Sequence, residues 1–190
     1  METRTIFFVG KPGCGKGTQA KLLAEKTGWP MFSSGNLFRE LEKENTPVGH
    51  KLREENQKGF LSPHWFAMYL YLKTLFSVPG TSSVIFDGFN RKVPEAELIV
   101  DSLKWLGRPF QIINIKVSDE TMQARLAKRH ETSGRADDAP EIFPERLAEY
   151  KKFTEPAIEL FRREGVLIEI DGEKTPEEIA QSIRRALNLK

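Results

Sequence analysis

The sequence predicts a three-layer α/β protein with a five-stranded parallel sheet and helices on both faces. Short apolar runs rich in β-branched residues recur along the chain and alternate with stretches of helical periodicity. A glycine-rich turn joins the first run to the first helical stretch. This alternation favours right-handed crossovers between parallel strands, and it places ligands at the carboxyl ends of the strands.

The apolar runs are nearly continuous, which is typical of strands that are buried on both faces. Bounded by turn residues, they predict strands at residues 5–9, 83–86, 110–117 and 166–170, with a shorter candidate at 31–33.

The stretches between these runs predict helices at residues 16–27, 36–44, 63–76, 94–106, 119–129, 142–164 and 176–189. Pro144 and Pro156 fall inside the longest of them, so we expect that helix to be split or kinked. The polar tract at 130–140 is rich in charged and small residues and predicts a flexible loop.

Composition sets the broad class of the protein. With 190 residues and 39% hydrophobic content, the chain can bury one sizeable core, so we expect one domain with mobile insertions. A formal net charge of +2 gives no bulk electrostatic reason to expect nucleic acid or a membrane as a partner. The single cysteine cannot form an internal disulfide, and we find no signal-peptide pattern, so we expect a cytoplasmic protein.

The glycine-rich turn has the composition and the context of a phosphate-binding loop: Gly10-Lys11-Pro12-Gly13-Cys14-Gly15-Lys16-Gly17-Thr18. Its glycines let successive backbone N–H groups face phosphate oxygens, and the following helix adds its dipole. Lys16 can reach the β and γ phosphates, and Thr18 offers a hydroxyl on the Mg²⁺ side. The coincidence of strand, loop, lysine and helix favours this interpretation over a glycine-rich turn that binds nothing.

The broad form of this motif has Ser or Thr directly after the lysine, whereas here Gly17 intervenes. In this respect the loop resembles that of adenylate kinases. Matches to that family continue in the same order along most of the chain, at residues 33–39, 87–91, 125–129, 133–138 and 146–150. The resemblance implies a P-loop nucleoside-triphosphate hydrolase-type fold and transfer of the ATP γ-phosphoryl group to a nucleoside monophosphate.

Phosphoryl transfer requires cations around the oxygens that carry the transferred charge, and the guanidinium fork suits phosphate. By resemblance, Arg39 and Arg91 hold the acceptor's phosphate. The resemblance likewise places four arginines around the transferring group and the ATP phosphates: Arg125, Arg129, Arg135 and Arg146. A solvated surface charge is the alternative for any one of these arginines, and it explains the whole set poorly.

The resemblance also implies a full site. Its catalytic residues are Lys16, Arg91, Arg125, Arg129, Arg135 and Arg146. Its ATP-binding residues are Gly13, Cys14, Gly15, Lys16, Gly17, Thr18, Arg125 and Lys174. Its monophosphate-binding residues are Ser34, Arg39, Leu61, Gly88, Arg91, Glu95, Arg135 and Arg146.

The expected site also includes a magnesium ion and two mobile segments. Asp87 ends a predicted strand, where its carboxylate can hold Mg²⁺ through water together with Thr18; a turn cap next to Gly88 is the alternative. Residues 36–66 correspond to a mobile insertion over the monophosphate, and residues 130–140 to a short lid over ATP. Asp137 and Asp138 in this lid could orient the neighbouring arginines, and an exposed acidic turn is the equal alternative. For Lys174 a solvated turn lysine remains an equal alternative.

Glu95 bears on the identity of the acceptor base, because the family commonly has Gln at this position, where it reads adenine. A Gln amide offers one donor and one acceptor, which matches adenine, whereas an ionised carboxylate offers acceptors only and complements the two donors of guanine. A helix-start Glu after Pro94 that reads no base is the other interpretation.

We therefore expect a monomeric enzyme that uses Mg²⁺ and catalyses ATP + AMP = 2 ADP. GMP or CMP as acceptor is the alternative within enzymes, and a nucleotide-binding regulatory protein with weak transfer is the alternative from another class. The arginine set favours transfer over mere binding.

Overall fold

The structure is a computed structural model, and it describes residues 4–58, 60–133 and 138–189. Its sheet has five parallel strands in the order β2-β3-β1-β4-β5. They are β1 (Thr5–Gly10), β2 (Met31–Ser33), β3 (Val84–Asp87), β4 (Phe110–Lys116) and β5 (Leu167–Asp171). The predicted fold class is confirmed, and each predicted strand lies within one residue of its observed position.

The helices of the described residues cover both faces of this sheet. They are α1 (Lys16–Thr27), α2 (Ser34–Lys43), α3 (Pro47–Gln57), α4 (His64–Ser77), α5 (Val93–Trp105), α6 (Asp119–Ser133), α7 (Phe143–Glu149), α8 (Glu155–Arg163) and α9 (Pro176–Ala186). No helix in the described ranges is long and apolar enough to cross a membrane.

The central strand β1 separates two hydrophobic clusters, because successive side chains of a strand point to opposite faces. Phe7 packs on one face, where its ring stacks on Phe86 of β3 at a centroid distance of 5.0 Å. Ile6 and Phe8 pack on the other face. The sheet is therefore buried on both sides, and only its strand ends are open to a ligand.

The sequence did not predict α3. This helix is largely polar, and its buried residues are Gly49 and Leu52, so it lacks the apolar periodicity on which the prediction depended. Its start signals were present, since the Thr46 side chain accepts a hydrogen bond from the Gly49 N–H and Pro47 occupies the first turn.

The loop predicted at 130–140 begins too early, because α6 continues to Ser133. Residues 134–137, which include Arg135, lie outside the described residues. The helix predicted over 142–164 is split, as expected. A π-helical stretch, Tyr150–Thr154, separates α7 from α8, and Pro144 and Pro156 occupy the first turns of those two helices.

Candidate functional site

A cavity of about 900 Å³ lies at the carboxyl ends of β1 and β3. The glycine-rich loop closes one end of it, and side chains of α2 and α3, among them Arg39 and Asn56, line the other end. Its position is the one that a parallel sheet with crossovers dictates for a ligand site.

The glycine-rich loop joins β1 to α1. Gly13 and Gly15 have positive φ values of 71° and 98°, a backbone conformation that favours glycine. A Cβ added at Gly10 would lie only 2.6 Å from the carbonyl oxygen of Ile115, so the strand end passes too close to β4 for a side chain. These constraints curl the backbone into a concave loop at the N-terminus of α1.

Lys16 lies across this loop. Its Nζ donates hydrogen bonds to the carbonyl oxygens of Gly10 and Lys11, each at 2.8 Å, and to Sγ of the buried Cys14 at 3.5 Å. Burial lowers the pKa of Lys16, against the opposing effect of Cys14. The ammonium group is thus held by neutral carbonyl oxygens at the floor of the cavity, and no carboxylate of the described residues forms an ion pair with it, of the kind that joins Lys11 to Asp119.

Asp87 ends β3 beside the start of α1. A Cβ added at Gly17 would lie 3.5 Å from its Oδ2, and the same oxygen accepts a hydrogen bond from Ser33 at 3.2 Å. Thr18, exposed in the first turn of α1, also lines the cavity. A carboxylate and a hydroxyl that face one phosphate-binding loop are hard oxygen ligands, which fit Mg²⁺.

Arg125 of α6 spans two loops at the same end of the sheet. It donates to the carbonyl oxygen of Cys14 at 3.2 Å and to that of Gly172, after β5, at 2.8 Å. Lys174 follows on the same loop and lines the cavity, with its Nζ 3.9 Å from Oδ2 of Asp171. Arg125 therefore lies next to the phosphate-binding loop, whereas Lys174 only lines the same cavity.

Asp138 binds two more of the predicted arginines. Its wholly buried carboxylate accepts from Nη2 of Arg129 at 2.5 Å and from Nη1 of Arg146 at 2.7 Å. Burial alone would raise the pKa of Asp138, but the hydrogen bonds and charges of the two arginines outweigh it and hold the pKa below its usual value. The carboxylate thus joins α6 to α7 and orients both guanidinium groups at the rim of the cavity.

The turn after β3 forms the acceptor end. The buried Ser34 hydroxyl donates to the Gly88 carbonyl oxygen at 2.8 Å, and Nε of Arg91 donates to the same oxygen at 2.9 Å. A Cβ added at Gly88 would come within 2.8 Å of both side chains, so only glycine fits there. Arg39 donates to Asn36 on α2.

Glu95 lines the cavity, but its hydrogen bonds cap the helix in which it lies. Its Oε2 accepts hydrogen bonds from the backbone N–H groups of Arg91 at 2.6 Å and Lys92 at 3.1 Å, and so caps the start of α5. Burial raises the pKa of Glu95 to about 7, despite the opposing effect of these two hydrogen bonds. One carboxylate oxygen is therefore committed to the backbone.

Two residues that sequence reasoning missed hold Leu61. The Leu61 backbone N–H donates to Oε2 of Glu149 at 3.1 Å. Lys92 donates to the carbonyl oxygens of Leu61 and Ser62 at 3.2 and 2.9 Å. Their contacts tie the end of the predicted insertion to α5 and α7, and no local sequence signal marks either residue, because the pairs are 31 and 88 residues apart.

Asn90 was also missed. It lines the cavity and is wholly buried, and neither Nδ2 nor Oδ1 has a hydrogen-bond partner among the described residues. A buried amide without partners costs about 1–3 kcal/mol, which makes it unusual in a folded protein.

The structure brings most of the predicted site together. The predicted residues that line the cavity are Gly13, Cys14, Gly15, Lys16, Gly17, Thr18, Arg39, Leu61, Asp87, Gly88, Arg91, Glu95, Arg125, Arg129, Arg146 and Lys174. Ser34 does not line the cavity itself but donates a hydrogen bond to Gly88, which does. The prediction for Arg135 falls outside the described residues.

Comparison with known proteins agrees with this geometry. The sequence model of the adenylate kinase family matches residues 8–166. An adenylate kinase of Thermus thermophilus is 35% identical over 98% of this chain and 98% of its own length. Adenylate kinase 1 of a Nostoc species is 34% identical over 96% of this chain and 97% of its own, and human adenylate kinase isoenzyme 1 is 33% identical over 96% and 93%.

Proposed function

Because the chain belongs to the adenylate kinase family and transfers the γ-phosphoryl group of ATP to AMP, we propose that the described cavity is where this transfer occurs. One observation carries the proposal: a single cavity is lined by the phosphate-binding loop, by Arg39 and Arg91, and by Arg125, Arg129 and Arg146. The adenylate kinase relatives do not favour GMP, CMP or a purely regulatory role.

ATP would bind on the loop end. Backbone N–H groups of residues 13–18 would surround its β and γ phosphates, and Lys16 would leave its carbonyl contacts to meet them. Its lowered pKa follows from burial, and a phosphate dianion would restore the stability of its charged form. Arg125 would hold the ATP phosphates from the α6 side, where it already contacts Cys14.

AMP would bind on the other end, with its phosphate between Arg39 and Arg91. An oxygen of this phosphate attacks the γ-phosphorus, the bond to the bridging oxygen of ATP breaks, and ADP leaves. Arg129 and Arg146 would stabilise the charge that develops on the transferred group, because Asp138 already orients both of them.

Mg²⁺ would be held by Asp87 through water and by Thr18, and it would neutralise charge on the phosphates. The segments 36–66 and 130–140 would close over AMP and ATP and exclude water, which would otherwise hydrolyse ATP. One chain supplies every proposed residue, so the monomer is a complete catalytic unit. We place it in the cytoplasm, where reducing conditions keep a lone thiol such as Cys14 free.

A coupled assay of ATP consumption tests the proposal across AMP, GMP, CMP and UMP. We expect AMP to have the highest kcat/KM. The same assay on Glu95→Gln tests the base reading: if Glu95 faces the base, the variant raises the AMP-to-GMP ratio of kcat/KM, because an amide adds the donor that adenine N1 requires. An unchanged ratio would mean that Glu95 only caps α5, whereas a preference for another base in the natural protein would contradict the AMP assignment.

A further inference from the structure

Lys92 joins three parts of the chain at the acceptor end of the cavity. Its Nζ donates hydrogen bonds to the backbone carbonyl oxygens of Leu61 at 3.2 Å and Ser62 at 2.9 Å. The same atom lies 5.1 Å from the ring centroid of Phe153, within the range of a cation–π contact. Lys92 immediately precedes α5 and directly follows Arg91. One side chain therefore connects the segment between α3 and α4, the π-helical stretch and the turn after β3.

The backbone that Lys92 holds has no regular secondary structure. Leu61 and Ser62 lie between α3 and α4, so their polar backbone groups have no helix or strand to pair with. Lys92 binds both carbonyl oxygens, and Oε2 of Glu149 accepts from the Leu61 N–H at 3.1 Å. Hydrogen bonds with a charged partner are roughly twice as strong as neutral ones. Two side chains that are distant in sequence therefore restrain this backbone where secondary structure does not.

The restrained backbone forms part of the cavity wall. Leu61, Ser62 and Glu149 all line the cavity. Arg91, which we assign to the phosphate of AMP, lines it too. Lys92 does not, so any effect that it has on a bound acceptor must act through the residues that it holds. Because residues 91 and 92 are adjacent, Lys92 links the position of this wall to that of the phosphate-binding arginine.

We infer that Lys92 is a positioning residue for the nucleoside part of the acceptor, and that it acts by fixing Leu61 and Ser62 against the turn that carries Arg91. The inference rests on the proposed function, because it takes the cavity as the place where AMP binds. A wall that is held in place before AMP arrives need not be ordered on binding, which favours a higher affinity. Lys92 should thus affect the affinity for AMP and leave the transfer step, which depends on other residues, unchanged.

Steady-state kinetics of Lys92→Met tests the inference, because methionine keeps an apolar stem but donates no hydrogen bond. We expect the KM for AMP to rise about tenfold, while kcat at saturating AMP and the KM for ATP stay within about twofold. Lys92→Arg should keep most of the affinity, since a guanidinium group can donate to both carbonyl oxygens.

Lys152→Met is the matched control. Nζ of Lys152 lies 4.9 Å from the centroid of the same Phe153 ring, but within the described ranges it donates no hydrogen bond to residues 61 or 62. This variant also loses one positive charge, so it should keep the KM for AMP of the natural protein only if the carbonyl contacts of Lys92 matter. A thermal melt of each variant measures whether its folding has changed.

Ribose 5-phosphate distinguishes the wall from the phosphate-binding arginine, because it carries a phosphate on ribose without the base. Its inhibition constant against AMP should change less than about twofold in Lys92→Met, but it should rise in Arg91→Ala, which removes a cation from the phosphate.

The outcomes separate this inference from the assignment of the cavity. If Arg91→Ala leaves the binding of both AMP and ribose 5-phosphate unchanged, the proposed function fails. If Arg91→Ala weakens both and Lys92→Met weakens neither, only the role of Lys92 fails. That role is also contradicted if Lys92→Met lowers the melting temperature without raising the KM for AMP, if Lys152→Met raises this KM equally, or if the constant for ribose 5-phosphate rises as much as the KM for AMP.

Discussion

In the turn between β3 and α5, Oε2 of Glu95 accepts a hydrogen bond from the backbone N–H of Arg91 at 2.6 Å. The same side chain therefore fixes the start of a helix and the backbone of a residue that we assign to the acceptor's phosphate. Its burial raises its pKa to about 7, and this value makes the stability of the protein depend on pH.

The folded protein holds a proton on Glu95 from its ordinary pKa, near 4.5, up to about 7, whereas the unfolded chain does not. The Glu95 contribution to the free energy of unfolding is therefore fully present below pH 4.5 and is lost as pH rises towards 7, by about 1.4 kcal/mol per pH unit. Glu95→Gln keeps an acceptor for the backbone and has no titration. Urea unfolding of both proteins from pH 4.5 to 8 should show the variant gaining relative stability up to pH 7; parallel curves would contradict the raised pKa.

We expect Lys16→Ala to lower kcat by roughly a hundredfold or more, comparable to the loss of one preorganised charge at the transferred group. Folding should change little, because the three hydrogen bonds that Lys16 makes with described residues all go to its own loop. Steady-state kinetics with a thermal melt of each protein measures this. Lys11→Ala is the control, because Lys11 lies in the same loop but pairs with Asp119 and does not line the cavity; this variant should keep its turnover. Near-normal turnover of Lys16→Ala would refute the assignment.

Arg91→Ala should mainly raise the KM for AMP, whereas Arg129→Ala should mainly lower kcat, since one holds a ground-state phosphate and the other the developing charge. Kinetics with each substrate varied separately distinguishes the two effects. Asp138→Asn separates the orientation of Arg129 from its charge, because it weakens the ion pair of Arg129 without removing the cation. The assignment fails if both arginine variants change only the KM for ATP.

We expect Asn90→Leu to raise the free energy of unfolding by about 1–3 kcal/mol, because it removes a buried amide that has no partner among the described residues. If the Asn90 amide forms a hydrogen bond with bound AMP, the same substitution should weaken AMP binding by about tenfold. Calorimetric melting and AMP titration give both quantities.

Asn114→Leu is the matched control for Asn90. Asn114 is also buried, and its Oδ1 has no hydrogen-bond partner in the part of the chain that the structure describes. It does not line the cavity, so its replacement should leave AMP binding unchanged. If Asn90→Leu destabilised the protein and left AMP binding intact, the role of Asn90 would be structural.

The strand positions and the phosphate-binding loop could be predicted from the sequence, because they depend on local patterns, whereas the strand order came only from the structure. Five apolar runs and a glycine-rich turn before a helix specify their own backbone whatever surrounds them. The arginines were placed by resemblance, and the described ones line one cavity. α3 escaped prediction because only two of its residues are buried, so that its apolar periodicity is too weak to detect.

The partners of each charged group were decided by tertiary structure. From the sequence Glu95 could either read a base or start a helix, and the structure shows that it caps α5. The pairing of Asp138 with Arg129 and Arg146 depends on how the fold brings residues of α6 and α7 to one carboxylate. Hydrogen bonding and burial depend on three-dimensional distances that residue type does not encode. The lack of hydrogen-bond partners for the Asn90 amide among the described residues depends on such distances too. The sequence determined which chemistry the chain carries, and the fold decided which of its polar groups remain available to perform it.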